Sequence, residues 1–392
     1  MRPLLRSYLH FFTSLRLTVV LLVLSLLLVF FATLAQVNLG IWAVQTKYFR
    51  SLFVTAQLPG TELFVPVFPG GYLIGGLLLL NLGAAHVSRL RLSWAKSGLW
   101  LTHFGLILLL LGELFTGLWQ KESMMRLDQG ETKAYSESSR QIELAVIDTT
   151  DPKFDDVVAI PTAALEQLGT IQHPKLPFRI HTTTYHQNSL LQMRRQVPNA
   201  PPSPADQGFG PQLVVMPLPL TYKQDEQNMP TAVLELAGAD GPLGTWLVSP
   251  LLTEPQSVTV QGHTYQLQMR PTRHYYPFSV TLLKFSHDRY PGTDIPKNFS
   301  SRVRLRTPDG SVDREVLIYM NNPLRYGGLA FYQAGFEPND RTTILQVVQN
   351  PSWLLPYISC VLMFLGLVIQ FAIHLTRFIR RRTAVAAAAA TA

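Results

Sequence analysis

The sequence predicts an integral membrane protein with four transmembrane α-helices and one large extracytoplasmic all-β, sandwich-like domain. Three observations support this fold class. The chain contains four long apolar runs, the short segments beside them carry an excess of basic residues, and the long segment before the last run is divided by regularly spaced turn residues. Each observation predicts a different part of the structure.

The four apolar runs cover about residues 17–35, 71–87, 98–118 and 353–375. A helix needs about 20 mostly apolar residues to cross roughly 30 Å of hydrocarbon, so each run predicts one span. The first run is too long for the apolar core of a signal peptide and lacks the usual small-residue cleavage site, which predicts a retained anchor. The second run is the shortest and is interrupted by Asn81 and several glycines.

These spans divide the chain into three regions. Residues 1–118 form an N-terminal membrane region with three spans. Residues 119–352 form the extracytoplasmic domain, and residues 353–392 contain the fourth span and a basic cytoplasmic tail. The lipid bilayer is therefore the first predicted partner.

The net charge of +8 is unevenly distributed, which predicts the orientation in the membrane. Segments 1–16, 88–97 and 376–392 together hold ten Arg or Lys residues and no Asp or Glu, whereas residues 119–352 hold 21 basic and 23 acidic residues. An excess of Lys and Arg in short loops marks the cytoplasmic side. Both termini are therefore predicted to be cytoplasmic at the inner (plasma) membrane, and nucleic acid is not predicted as a partner. The basic residues are Arg2, Arg6, Arg16, Arg89, Arg91, Lys96, Arg377, Arg380, Arg381 and Arg382.

From Gln120 onward, the extracytoplasmic segment has a sequence pattern typical of a β domain. Pro and Gly recur roughly every 8–12 residues, with short β-rich runs between them. The predicted strands cover 142–147, 178–185, 213–216, 231–236, 257–269, 279–285, 303–306 and 316–320. Many short strands without a long helical pattern predict a sandwich or a partly open barrel. The Pro-rich segment Pro198–Pro211 predicts a flexible loop that divides the domain into two subdomains.

The sequence excludes several kinds of chemistry. Cys360 is the one cysteine and lies in the fourth span, so the chain has no intrachain disulfide, no dithiol exchange and no Cys-x-x-Cys-His site for attaching heme to itself. Gly-x-Ser-x-Gly, His-Glu-x-x-His and phosphate-loop motifs are also absent. An enzyme with a self-contained active site is therefore not predicted.

Three histidines in the spans are the candidate functional residues. His103 lies about five residues into the third span, while His86 and His374 lie at the ends of the second and fourth. Ionisable residues in spans are costly and usually functional, and neutral imidazole is a common axial ligand of heme iron. His103 is the first candidate, although a hydrogen bond to a neighbouring helix explains it as well. Water or headgroups can satisfy His86 and His374, which are weaker candidates. In the β domain, His181 and His186 have the nearest approach to a metal-like spacing, but they fall on opposite faces of a strand.

Four blocks of sequence carry a family resemblance. They are Thr13–Val20, the third-span segment His103–Gly112, the segment Tyr290–Ser301 with Tyr290-Pro291-Gly292-Thr293, and the segment Met320–Gln333 with Met320-Asn321-Asn322-Pro323-Leu324-Arg325-Tyr326-Gly327-Gly328. Together they resemble the ResB family, also named CcsB-type, whose members are membrane components of System II cytochrome c biogenesis. The order of three spans, a large domain and a last span is also the plan of that family.

The resemblance implies a function. Family members work with a CcsA-type membrane protein, which carries a tryptophan-rich heme motif, and the pair moves heme outward to reduced apocytochrome c. No such motif is present here, so a separate CcsA-type partner is implied, together with apocytochrome c and thiol-reducing proteins. Transient, non-covalent heme is the implied cofactor, and the histidine of the family's third span matches His103 best.

Two other functions remain open at this point. The chain could be a membrane scaffold that binds no heme and only positions its partners. It could also be a cytochrome b-type electron-transfer subunit, which needs two facing histidines, and His86 with His103 could supply them.

Overall fold

The computed structural model describes residues 11–61, 63–89, 93–221, 227–293, 296–338 and 340–390, and for Arg89, Pro296 and 386–390 it describes the backbone alone. Arg2, Arg6 and Arg91, which contribute to the charge asymmetry, lie outside these residues. The chain divides into two compact units. The helical unit contains residues 1–121 and 350–392, and the β domain contains residues 122–349.

Among its described residues, the helical unit contains four helices that are long and apolar enough to cross a membrane. Its elements are α1 (Leu15–Val44), β1 (Phe53–Gln57), β2 (Phe64–Pro69), α2 (Gly71–Arg89), α3 (Ser97–Trp119) and α5 (Leu355–Ala390). A π-helical turn (Gln45–Phe49) follows α1, and a 3-10 turn (Trp94–Lys96) precedes α3. β1 and β2 form an antiparallel hairpin.

The first and last helices are longer than their apolar runs. α1 continues past residue 35 to Val44, with an interruption at Gly40, whose φ is +72° and ψ +163°. Glycine adopts this conformation without the steric cost that a Cβ would add. α5 continues past residue 375 through the basic segment and the Ala-rich end to Ala390, because alanine has the highest helix propensity.

The β domain is rich in strands, as predicted. Its elements are β3 (Lys121–Asp128), β4 (Thr132–Asp148), β5 (Asp156–Pro161), α4 (Thr162–Glu166), β6 (Thr170–Ile171), β7 (Phe178–His186), β8 (Ser189–Met193), β9 (Leu213–Pro217), β10 (Thr231–Gly238), β11 (Gly241–Val248), β12 (Gln256–Val260), β13 (His263–Arg289), β14 (Pro296–Arg306), β15 (Asp313–Tyr319), β16 (Leu324–Tyr326), β17 (Leu329–Phe336) and β18 (Thr342–Gln349). The 3-10 turns Arg194–Gln196 and Gly210–Gln212 flank the Pro-rich loop between β8 and β9.

Most strands belong to one sheet of ten. Its order is β15-β14-β13-β4-β3-β18-β17-β16, with β12 paired to β13 and β5 paired to β4. A second sheet has the order β11-β10-β7-β6, and β8 pairs with β9 separately. The strands β4 and β13, with 17 and 27 residues, extend through both halves of the domain.

Two hydrophobic cores lie along these long strands. One core joins β4, β5, β12 and the first part of β13 to β7, β10 and β11 of the second sheet, so this half is a sandwich. The other core is enclosed by β3, β13 to β18 of the ten-stranded sheet alone, so this half is a single curled sheet. The sandwich prediction therefore describes one half of the domain, because the sheet itself supplies both walls of the other.

The boundary between the two cores is not where the prolines predicted it. It falls within β13, between Met269 of the first core and Phe278 of the second. The segment Pro198–Pro211 is instead a connection between β8 and β9. It is held by contacts such as the hydrogen bond from the Ser203 hydroxyl to the Gly210 carbonyl, 2.9 Å.

Candidate functional site

The three candidate histidines lie on three different helices. His86 is on α2, His103 on α3 and His374 on α5. The rings of His86 and His103 come together, with 6.2 Å between their centroids. His374 makes no ring contact with either of them among the described residues, and the side-chain amide of Gln370 donates to its Nε2 at 2.9 Å. The structure thus brings two of the three candidates into one place.

His103 has the tautomer that a metal ligand needs. Its Nδ1 lies 2.8 Å from the backbone carbonyl oxygen of Leu99, one turn earlier in α3. A carbonyl oxygen can only accept, so Nδ1 carries the proton and Nε2 keeps its lone pair. Metal-binding imidazoles commonly donate their second N–H to a carbonyl or a carboxylate in this way. The hydrogen bond is made to its own helix, which leaves Nε2 available to a ligand.

His86 is in a less polar environment than its sequence position indicates. The residue is only 6% exposed, and neither ring nitrogen has a hydrogen-bond partner in the part of the chain that the structure describes. Its position at the end of a span predicts that water or headgroups satisfy this ring, but Trp100 packs edge to face against it, with 3.8 Å between the ring centroids. A buried polar atom without a partner costs about 1–3 kcal/mol. His86 is therefore a stronger candidate than its sequence position predicts.

Trp100 is a member of this site that sequence reasoning missed. Its indole Nε1 is buried and has no hydrogen-bond partner among the described residues. An indole N–H can only donate. A tryptophan near the end of a span usually lies at the headgroup level, so the sequence carried no signal for a role inside the protein. His86, Trp100 and His103 are named the inner cluster below.

The packing of α3 against α5 determines which way the inner cluster faces. Gly98, Gly105 and Gly112 form a stripe seven residues apart, and all three are buried against α5. At 100° per residue, Trp100 and His103 lie on the side of α3 away from that stripe. The backbone N–H of Leu99 is also bonded to Gln370 Oε1 of α5, at 3.2 Å. The opposite side of α3 is thereby left to α2 and to a ligand.

Asn81 holds α2, and with it His86, against the start of α1. Its side chain is only 3% exposed, and it accepts a hydrogen bond from Thr18 Oγ1 at 2.6 Å. Its amide donates to the carbonyl of Phe12 at 2.6 Å and to that of Ser14 at 3.2 Å. Polar side chains stabilise helix contacts in this manner where water is absent. The asparagine that interrupts the second apolar run is thus a packing residue.

The β domain contains one further oriented imidazole. The side chain of His287 is 5% exposed, and its Nδ1 lies 2.9 Å from Asp340 Oδ1. That hydrogen bond and the nearby Arg289 lower the pKa of the Asp340 carboxyl. The ring packs on Phe336, 4.3 Å between centroids, and Nε2 has no partner among the described residues. The sequence placed His287 beside a predicted strand without indicating this pair.

Metal-ion clusters are not part of the candidate site. Within the described residues, no group of three or more His, Cys, Asp or Glu side chains could hold a metal ion. His181 and His186 both lie on β7, and the Nδ1 of His181 is 3.1 Å from the Thr170 hydroxyl. Cys360 is a free thiol on α5.

Two comparisons with known proteins give matches over part of the chain. Residues 250–344 match the model of the ResB-like family. Protein NrfI of Wolinella succinogenes is 41% identical over 91 residues, which cover 23% of this chain and 10% of NrfI. The matched segment therefore spans about a tenth of that relative. The motif blocks at 290–301 and 320–333 lie within residues 250–344, so the resemblance is confirmed for this part of the chain.

Proposed function

We propose that this chain, which is ResB-like over residues 250–344, is a membrane subunit of a System II cytochrome c biogenesis complex. It helps to transport heme outward and to present it, with the apocytochrome, to a CcsA-type partner. The observation that carries the proposal is the ResB-like segment of the β domain, in a chain that also has four helices able to cross a membrane. The β domain is extracytoplasmic and both termini are cytoplasmic in this proposal.

The helical unit handles the heme. Heme is flat, apolar and reactive, and it needs an axial ligand and protection from water during transit. His103 supplies the ligand through Nε2, because Nδ1 is held by the Leu99 carbonyl. The apolar side chains of α2 and α3 supply the dry surroundings. The heme is a transient and non-covalent cargo, and attachment takes place elsewhere, so the chain is an auxiliary subunit and not an enzyme.

The β domain holds the apocytochrome near the exit. Its ten-stranded sheet ends in β15 and β16, and its four-stranded sheet ends in β11 and β6. Exposed sheet edges bind extended peptides through backbone hydrogen bonds. An unfolded apocytochrome segment presented by thiol-reducing proteins is an extended peptide of this kind.

Substitution of His103 tests the proposal. If His103 ligates heme, His103→Ala should lower the heme that copurifies with the complex, and it should lower the yield of mature cytochrome c, while the amount of this protein stays near normal. Added imidazole should restore part of both, because a free imidazole can occupy the space of the missing ring and bind the iron. It cannot repair a packing defect.

His374→Ala is the matched control, because His374 lies outside the inner cluster. It should change neither heme content nor maturation. If His103→Ala leaves both unchanged while His86→Ala abolishes both, the ligand has been assigned to the wrong histidine. If none of the three substitutions matters, the chain is a scaffold that positions its partners without binding heme.

One observation favours a second candidate, a cytochrome b-type electron-transfer subunit. That function needs two histidines on facing helices, and the rings of His86 and His103 are 6.2 Å apart. The two functions differ in their dependence on a partner. An electron-transfer subunit holds heme permanently when it is produced alone, whereas a heme-delivery subunit transfers its heme once a CcsA-type partner and apocytochrome are coexpressed.

A further inference from the structure

Three polar atoms in the inner cluster lack a protein partner. They are both ring nitrogens of His86 and the indole Nε1 of Trp100, and all three are buried without a hydrogen-bond partner among the described residues. The two rings are in contact, 3.8 Å between centroids. Two adjacent N–H donors inside an apolar unit are costly unless a ligand supplies an acceptor.

We propose that His86 and Trp100 form a donor pair for a carboxylate of the heme whose iron is bound by His103. This inference rests on the proposed function and adds the recognition of the heme side chains. An indole N–H can only donate and cannot bind iron, so a role as iron ligand would explain His86 but not Trp100. A carboxylate has two oxygens and accepts from both groups. Heme carries two carboxylates at one edge of an otherwise apolar ring.

The positions of the three residues along α2 and α3 agree with an iron ligand at His103 and carboxylate donors at His86 and Trp100. His86 lies three residues before the end of α2, and Trp100 lies three residues after the start of α3. At 1.5 Å per residue, both are about 4.5 Å from the helix ends that face the 90–96 connection, whereas His103 is about 9 Å from its end. The iron ligand is thus one turn deeper than the two donors. A heme bound in this way has its carboxylate edge toward the connection.

Charge supports the same orientation. The segment 88–97 contains three basic residues and no acidic residue. The first turn of α3 brings the positive end of a helix dipole near Trp100, whereas the last turn of α2 brings the negative end of another near His86, so the two dipoles offset each other. The basic excess of segment 88–97 is therefore the charge that favours a carboxylate at this end of α2 and α3, with the apolar remainder of the macrocycle deeper among the leucines.

Hemin and its dimethyl ester separate the carboxylate contact from the iron contact. Full-length protein is purified in detergent from heme-deficient cells and titrated with each compound, and the Soret band is followed. A charge-assisted hydrogen bond of ordinary strength predicts that hemin binds about tenfold tighter than the ester. His86→Phe and Trp100→Phe keep an aromatic ring but lose the donor, so each should bring the ratio close to one by weakening hemin binding only.

Two variants make the test specific. His86→Gln keeps an N–H donor and should retain part of the preference for hemin. Trp94→Phe is the matched control for Trp100→Phe, because Trp94 is 92% exposed and lies outside the cluster, and it should leave the preference unchanged. His103→Ala should shift the Soret band with both compounds and weaken both equally.

The possible failures are distinguishable. If hemin and its ester bind wild-type protein equally tightly and both depend on His103, the carboxylate site is wrong while the proposed heme ligand stands. If His86→Phe converts a six-coordinate low-spin spectrum to a five-coordinate one, His86 is an axial ligand and the carboxylate assignment is overturned. If neither compound binds, the heme-binding part of the proposed function fails, and the carboxylate site fails with it.

Discussion

At the scale of single residues, two glutamate–arginine pairs join the long strands β4 and β13 and differ mainly in burial. Glu143 and Arg270 face each other in register, 3.2 Å between Nε and Oε1, and each side chain is 6% exposed. Glu137 and Arg273 are paired in the same way at 3.0 Å, but their side chains are 32% and 23% exposed. The chain therefore contains its own control for the effect of burial on an ion pair.

Glu143→Ala should lower the free energy of unfolding of the β domain by about 3–5 kcal/mol, because it leaves the buried guanidinium of Arg270 without its counter-charge. Glu137→Ala should cost about 1 kcal/mol or less, because solvent screens the more exposed pair. Pulse proteolysis of the full-length protein in increasing urea measures both. The double variant Glu143→Leu with Arg270→Met should recover most of the loss, and equal costs for the two single variants would contradict the argument from burial.

The histidines show which properties of single residues could be predicted from the sequence and which could not. The position of His103 in an apolar run identified it as a candidate, because such residues are rare in spans. The partnership of His86 with Trp100 could not be predicted. It depends on which faces of α2 and α3 meet, and neither a hydropathy window nor residue spacing contains that information. The pairing of His287 could not be predicted for the same reason, since its partner Asp340 is 53 residues away.

At the scale of elements, the contact between α3 and α5 leaves little room for a larger side chain. A Cβ added at Gly98 would lie 2.5 Å from the backbone N of Gln370 and the backbone O of Gly366. At Gly105 the nearest atoms would be Met363 Cγ, at 2.7 Å, and the backbone O of Ser359, at 3.0 Å. Small residues allow helix backbones to approach closely in a membrane, where no hydrophobic effect drives helices together.

Gly98→Ala should therefore destabilise the helical unit by about 1–3 kcal/mol, because two backbones must separate. Gly105→Ala should cost less, since the nearest backbone atom to its Cβ would be 3.0 Å away, against 2.5 Å at Gly98. Gly83→Ala on α2 is the control, because its Cβ would have no neighbour within 4 Å. The apparent melting temperature of each variant in detergent is followed by size-exclusion chromatography. It should be lowest for Gly98→Ala, intermediate for Gly105→Ala and highest for Gly83→Ala. A loss of stability in Gly83→Ala equal to that in Gly98→Ala would refute the contact as the cause.

Element prediction succeeded where one local signal was sufficient. The four apolar runs and most strand positions follow from length and alternation. The run 257–269 was predicted as one strand but is a hairpin of β12 and β13, because Gln261 and Gly262 both have positive φ and make the turn. The length of β13 was missed because Pro271 and Pro277 indicate breaks, whereas the strand continues past both with register shifts on its β4 side. Hydrogen-bonded pairing with the long strands β4 and β14 outweighs the tendency of these two prolines to end a strand.

At the scale of the whole molecule, charge and hydropathy still carry the argument for orientation. The ten-to-zero cationic bias of segments 1–16, 88–97 and 376–392 concerns short loops, where basic residues are decisive. In the proposed orientation, four spans place both ends of the chain on the cytoplasmic side. The ResB-like segment, residues 250–344, is on the other side in this proposal, where apocytochrome c is matured.

Reporter fusions test this orientation in cells. A fusion joined after Gly130, which lies in an exposed turn between β3 and β4, should be active with a reporter that works only outside the cytoplasm. A fusion at the C-terminus should be inactive with that reporter and active with a cytoplasmic one, because three predicted spans precede Gly130 and four precede the C-terminus. Replacing the basic residues Arg377, Arg380, Arg381 and Arg382 by alanine should weaken this difference. Activity of the extracytoplasmic reporter at both sites would show that α5 does not cross the membrane.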